Sequence, residues 1–220
     1  MEQSFKVAVA DSESVTVLQT VPEAKPKLLF IYAPGAGSNL HDPFGEYCAK
    51  RLPGAGIETW RFQFPYMEAQ RRAPDRTPLL EATWLAVIEA AQITGMQTAV
   101  GGRSMGGRIA SQVAARGASA AALALFAYPL HPPGKPDQKR DAHLGSVTVP
   151  TLFCSGTRDT FATPGELRTA ASLVPNSTVN LLEGADHGFA TLKSSGRTRE
   201  DVWAEAVDML LAFLDSLPFN

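Results

Sequence analysis

Short apolar runs alternate with amphipathic stretches along almost the whole chain, the pattern that parallel strands covered by helices on both faces write into a sequence. A run such as Leu28–Ala33 (LLFIYA) has no polar side to turn toward water, so it belongs in the middle of a sheet. Residues 57–64, 98–101, 120–127, 151–155 and 178–182 are the further predicted strands. Two earlier segments, 5–10 and 15–20, alternate apolar and polar side chains around polar residues 11–14 and read as an edge hairpin. Helices are expected between the strands. Asp42 and Pro43 supply a cap and a first-turn proline. Leu80, Trp84, Val87, Ile88 and Ala91 make one apolar stripe on a helix from Thr77 to about Ile93. Another helix starts beside Ser104 and runs to about Arg116. Thr163, Pro164 and Glu166 fit a capping box for a helix ending near Val174. The last, from about Arg199 to Leu217, is expected to turn Trp203, Val207, Leu210, Leu211 and Leu214 inward. The sum is about eight strands and five or six helices in one doubly wound α/β domain, a size that 220 residues accommodate.

Composition narrows the partners. With 45% hydrophobic and 19% charged residues the chain is ordinary globular material, and a formal charge of −2 gives no global field to attract nucleic acid or acidic lipid. The longest apolar run, 120–130, is far short of the roughly 20 residues that span a bilayer. Cys48 and Cys154 allow at most one bridge, and residues 1–10 lack a basic start followed by an apolar signal core. A reducing cytoplasm is the expected location. Neither cysteine has zinc-site spacing, and the glycines lack both the P-loop lysine and the dinucleotide fingerprint. No metal and no cofactor are expected.

Gly102, Arg103, Ser104, Met105 and Gly106 spell GxSxG between a short predicted strand and an amphipathic helix, the setting of a nucleophile elbow. In such a turn the serine backbone is strained, and strand and helix approach too closely for side chains at Gly102 and Gly106. The competing reading is a serine capping a helix in a Gly-rich turn. A serine hydroxyl needs a base within hydrogen-bond reach and an acid to orient that base. Of the four histidines, His187 follows the last predicted strand, at the carboxyl edge where a parallel sheet presents functional side chains. His41 lies near the first Gly-rich loop and is a candidate lining residue or a helix-entry residue; His131 and His143 read as solvated loop residues. Asp159 follows strand 151–155 and is the expected acid. Asp186 is the rival, but as His187's chain neighbour it folds back onto the ring with difficulty. The order Ser104, Asp159, His187 is that of the α/β-hydrolases. Two amides are expected to face an oxyanion: Met105 at the start of its helix and Ala36 in the loop after Ala33.

Together these pieces resemble the α/β-hydrolase superfamily over nearly the whole chain, from Leu28 to the final helix. The runs GGRSMGGR (101–108), SGTRDTF (155–161), GADHGF (184–189) and RFQFPYMEAQRR (61–72) resemble a group of small lidless hydrolases. That group is related to dienelactone hydrolases and to the hydrolase-like part of a chromatin-complex subunit and a testis-expressed protein. The resemblance implies Ser104 as nucleophile, Asp159 as orienting acid and His187 as base. Two departures stand out: Pro34 precedes Gly35 where members often have His then Gly, and Ser104 stands where dienelactone hydrolases use cysteine.

Lidded lipases insert a helical cap after the strand that follows the nucleophile helix. Here only residues 129–150 are available, punctuated by Pro129, Pro132, Pro133, Pro136 and Pro150, so no cap domain is expected. An open site favours small soluble acyl compounds: esters, thioesters or lactones. Arg71, Arg72 and Arg76, with Arg103 beside the serine, are candidates for holding an anionic group; pairing with Glu68 and Asp75 is the competing reading. A catalytically silent interaction module and an acyltransferase built on the same three residues are the alternative functions.

Overall fold

The computed structural model describes residues 1–9 and 13–218. Its strands are β1 (Glu2–Ala8), β2 (Ser14–Thr20), β3 (Leu28–Ala33), β4 (Ile57–Phe62), β5 (Thr98–Arg103), β6 (Ala122–Phe126), β7 (Thr151–Gly156) and β8 (Ser177–Leu182). The helices are α1 (Pro43–Arg51), α2 (Pro65–Glu68), α3 (Thr77–Gln92), α4 (Met105–Ala114), α5 (Pro164–Ala171) and α6 (Arg199–Asp215). All eight strands form one sheet, in the order β1-β2-β4-β3-β5-β6-β7-β8. The hairpin is antiparallel, with Phe5 opposite Val17, and joins the sheet antiparallel to β4; from β4 to β8 every pairing is parallel. Its expected polar tip includes residues 10–12, which lie outside the described residues.

Period-two alternation in β3 divides the core. Leu29, Ile31 and Ala33 face one layer with Trp84 of α3, Ile109 of α4 and Leu167 of α5. Leu28, Phe30 and Tyr32 face the other, with Phe44 of α1 and Val207 and Leu210 of α6. The all-buried pattern of β3 follows, since helices cover both faces. From β3 the chain turns to β4 on one side and later builds β5 on the other, so the crevice at the carboxyl ends of β3 and β5 is the topological switch point of the sheet.

Boundaries moved where local chemistry overrode pattern. β4 stops at Phe62, two residues short of expectation, because Pro65 opens α2 with Phe64 as its extended cap residue. Asp42 caps α1 by accepting from the Gly45 amide (3.0 Å), and the Thr163–Glu166 capping box of α5 is present. On α6 the buried stripe is Val202, Ala206, Val207, Leu210, Phe213 and Leu214. Trp203 and Leu211, expected to point inward, are half-buried; the Trp203 indole packs beside Tyr47 with centroids 5.8 Å apart.

The connection after β6 carries a single 3-10 turn, Leu144–Ser146, and no helical cap. It folds back onto the protein, which corrects the expectation for two histidines. His131 is buried, with Nδ1 2.9 Å from the Pro132 carbonyl. The His143 Nε2 lies 2.7 Å from Ser111 Oγ on α4; that hydroxyl donates to the Arg108 carbonyl, so neutral His143 serves it as an N–H donor. Burial, with the Arg108 and Arg116 charges added, pushes the His143 pKa down to about 4. An unfolded chain takes up this proton near pH 6.5 and the folded one does not, so stability is highest above that pH and declines as pH falls toward about 4. Denaturant midpoints at pH 7.5 and 5 are therefore expected to differ more in the parent than in His143→Gln, whose amide keeps a donor for Ser111. Equal losses in the two proteins would refute this role for His143. Among the described residues no helix is long and apolar enough to cross a membrane.

Candidate active site

Four parallel strands deliver their next residues to one edge of the sheet: β3 leads to Ala36, β5 to Ser104, β7 to Asp159 and β8 to His187. Ser104 sits between β5 and α4 with φ 52° and ψ −118°, a backbone state that costs an L residue about 1–3 kcal/mol. Backbone crowding holds it there. A Cβ on Gly102 would lie 2.2 Å from the Ala33 carbonyl oxygen; one on Gly106 would lie 2.2 Å from the same oxygen and 2.5 Å from that of Pro34. Only glycine lets β3, β5 and α4 meet this closely. The Ser104 amide donates to the Phe126 carbonyl (2.8 Å), tying the turn to β6 as well.

The Ser104 hydroxyl is 2.9 Å from His187 Nε2, and His187 Nδ1 is 2.8 Å from Asp159 Oδ2 and 3.0 Å from Oδ1. A carboxylate only accepts, so Asp159 fixes the imidazole proton on Nδ1 and leaves the Nε2 lone pair toward the hydroxyl. Asp159 has no exposed side-chain surface, whereas His187 keeps 24%, so the ring is reachable and its orienting partner is not. Asp159 Oδ1 also accepts from the Phe161 amide (2.8 Å), and the Phe161 ring stacks on the imidazole at 4.0 Å between centroids. One short loop thus sets both the Asp159 carboxylate and one face of the His187 ring. Asp186, the rival acid, instead accepts from the Gly188 and Ala190 amides and shapes the turn that carries His187. Arg158 donates to the Gly184 carbonyl and leaves Asp159 to the histidine.

Ser104, His187, Ala36 and Met105 line one cleft of about 420 Å³. Among the described residues, neither the Met105 nor the Ala36 amide has a protein acceptor. The Ala36 loop is braced from below by Tyr66, whose hydroxyl accepts from the Gly37 amide at 3.0 Å. Burial raises the pKa of that phenol. Tyr66 carries no sequence signal for this role beyond its place in the run 61–72.

The expected anion-binding residues divide. Arg103 lines the cleft but leans on buried Asp42 (3.4 Å), which also takes the Tyr32 hydroxyl at 2.6 Å. Arg71 pairs with Asp75 at 2.6 Å, and with Arg72 and His41 it lines a separate cavity of about 590 Å³. His41 is an exposed helix-entry residue, 3.0 Å from Glu46. The cleft instead receives Arg108, four residues and one helical turn after Ser104, and Arg140 from the connection after β6. Spacing alone could have marked Arg108; nothing local marks Arg140.

Comparison with known proteins gives the same fold. The chain superposes on an alpha-beta serine hydrolase homologue from Coxiella burnetii (TM-score 0.77, 19% identity, 94% of this chain and 97% of that one). It also superposes on dienelactone hydrolase from Anabaena variabilis (TM-score 0.77, 17% identity, 99% and 98%). A lidless α/β serine hydrolase from Xanthomonas campestris matches at TM-score 0.76 and 19% identity, over 100% of this chain and 96% of that one. In sequence, it is 30% identical over 178 residues to a Mycobacterium tuberculosis protein named as a candidate phosphoribosyl transferase, covering 77% of this chain. The chain spans only 38% of that relative's length. Residues 26–215 match the family described as alpha/beta hydrolase domain, and the chain belongs to that family.

Proposed function

We infer that the protein is a serine hydrolase of small acyl compounds, cleaving a carboxylic ester, thioester or lactone through an acyl-enzyme on Ser104. The observation that carries this is the continuous hydrogen-bonded chain from Ser104 through His187 to Asp159 beside two amides free to donate. His187 Nε2 takes the hydroxyl proton as Oγ bonds to the carbonyl carbon, and the carbonyl electron pair moves onto oxygen. The Met105 and Ala36 amides hold that oxyanion. Its collapse breaks the bond to the leaving group, which receives the proton from His187. Water then loses a proton to the same nitrogen and attacks the acyl carbon; the acid departs and Ser104 regains its hydrogen.

The open cleft, without a helical cap, favours compact acyl groups. Two free, buried thiols suit the reducing cytoplasm in which we place the reaction. The name of the mycobacterial relative describes a protein of which this chain spans 38%. A fluorophosphonate probe is expected to label Ser104 in the parent and nothing in Ser104→Ala, read by mass spectrometry of the labelled peptide. No label on residue 104 would favour the silent interaction module. Labelling together with an acylated alcohol as sole product, when water and alcohol compete, would favour the acyltransferase.

A further inference from the structure

The cleft around Ser104 is lined by Arg103, Arg108 and Arg140, and no carboxylate side chain is among its lining residues. Arg103 is occupied by Asp42. Among the described residues, Arg108 and Arg140 have no carboxylate within 4.0 Å, although Arg108 is half-buried on α4. Glu81, whose charge reaches Arg108, is itself bridged to Arg116 at 2.7 Å. Both guanidiniums line the same cleft, and burial together with the neighbouring Arg140 charge lowers the Arg108 pKa.

Such an arrangement costs folding free energy and is stable only because the scaffold pins it. Arg140 is held by its backbone: its amide donates to the Leu130 carbonyl (2.7 Å) and its carbonyl accepts from the Tyr128 hydroxyl (2.6 Å). One Arg140 nitrogen reaches the Pro129 carbonyl at 3.3 Å, leaving the rest of its fork open. Arg108 is fixed by α4, one turn beyond the nucleophile. Two planar donors beside a nucleophile fit a planar anion attached to the compound being cleaved.

We propose that Arg108 and Arg140 form a carboxylate-binding subsite, and that the substrate is a half-ester, thioester or lactone whose acyl part carries a carboxylate. This rests on the hydrolase reading above. Monomethyl succinate and methyl butanoate test it, since they differ by a carboxylate in place of a methyl group. At low salt the parent is expected to show at least about 10-fold higher kcat/KM for the succinate ester, measured by methanol release. Arg108→Gln and Arg140→Gln should each reduce that preference by roughly 10-fold. Arg168→Gln, on the exposed face of α5 outside the cleft, removes the same charge and should keep the preference. Succinate, unlike neutral succinamide, should also slow fluorophosphonate labelling of Ser104, less so in the two cleft variants. Equal turnover of both esters, or no protection by succinate, overturns the subsite while a labelled Ser104 keeps the hydrolase. Absence of label removes both.

Discussion

Replacing Ser104 by alanine is expected to lower kcat for any ester the parent cleaves by about a million-fold, the scale of loss seen when the nucleophile of such a unit is removed. Stability should scarcely change. The strain at this position lies in the backbone, at φ 52°, and serine and alanine carry the same Cβ into it. Ser104→Gly offers an internal control: glycine enters that region freely, so this variant should be about as inactive yet more stable than Ser104→Ala by about 1 kcal/mol. Thermal unfolding beside single-turnover kinetics separates the two effects. An alanine variant retaining even a tenth of the parent rate would mean that another residue attacks the substrate.

The second large loss is expected from Asp159→Asn, about ten-thousand-fold in kcat with the fold intact. The reason is directional. Asp159 Oδ1 accepts from the Phe161 amide, so the asparagine oxygen takes that place and turns its amide nitrogen toward His187. A donor facing Nδ1 forces the imidazole proton onto Nε2, where it opposes the Ser104 hydroxyl. Kinetics at neutral pH with circular dichroism on the same sample measure this; less than a 10-fold loss would show that Asp159 is not what sets the tautomer.

Much of the scaffold could be read from local chemistry. The buried run of β3, the cap at Asp42 and the box at Thr163 and Glu166 each combine a pattern with a mechanism acting over a few residues. The elbow glycines were equally legible, because Gly102 and Gly106 flank a serine at a strand-to-helix turn, and the crowding inferred there appears as the Ala33 and Pro34 carbonyls pressed against both positions. What stayed hidden depends on contacts distant in sequence. Tyr66 braces the Ala36 loop from 29 positions away, and His143 is half-buried because its connection folds onto α4 through Ser111. The cationic side chains of the cleft could be counted but not placed. Arg71 and Arg72 look like a cluster in the chain and lie in another cavity, while Arg108 and Arg140, far apart in sequence, share the cleft wall.

The glycine-mediated meeting of β3 with α4 ties two parts of the chemistry into one piece. Since Gly102 and Gly106 both bear on the carbonyl of Ala33, the turn that carries Ser104 and the loop that carries Ala36 rest on one shared backbone contact. Neither can drift without dragging the other. Changes that suit a different compound are therefore expected in side chains that border the cleft, such as Arg108 on α4 and Arg140 in the connection between β6 and β7, while the welded backbone stays as it is.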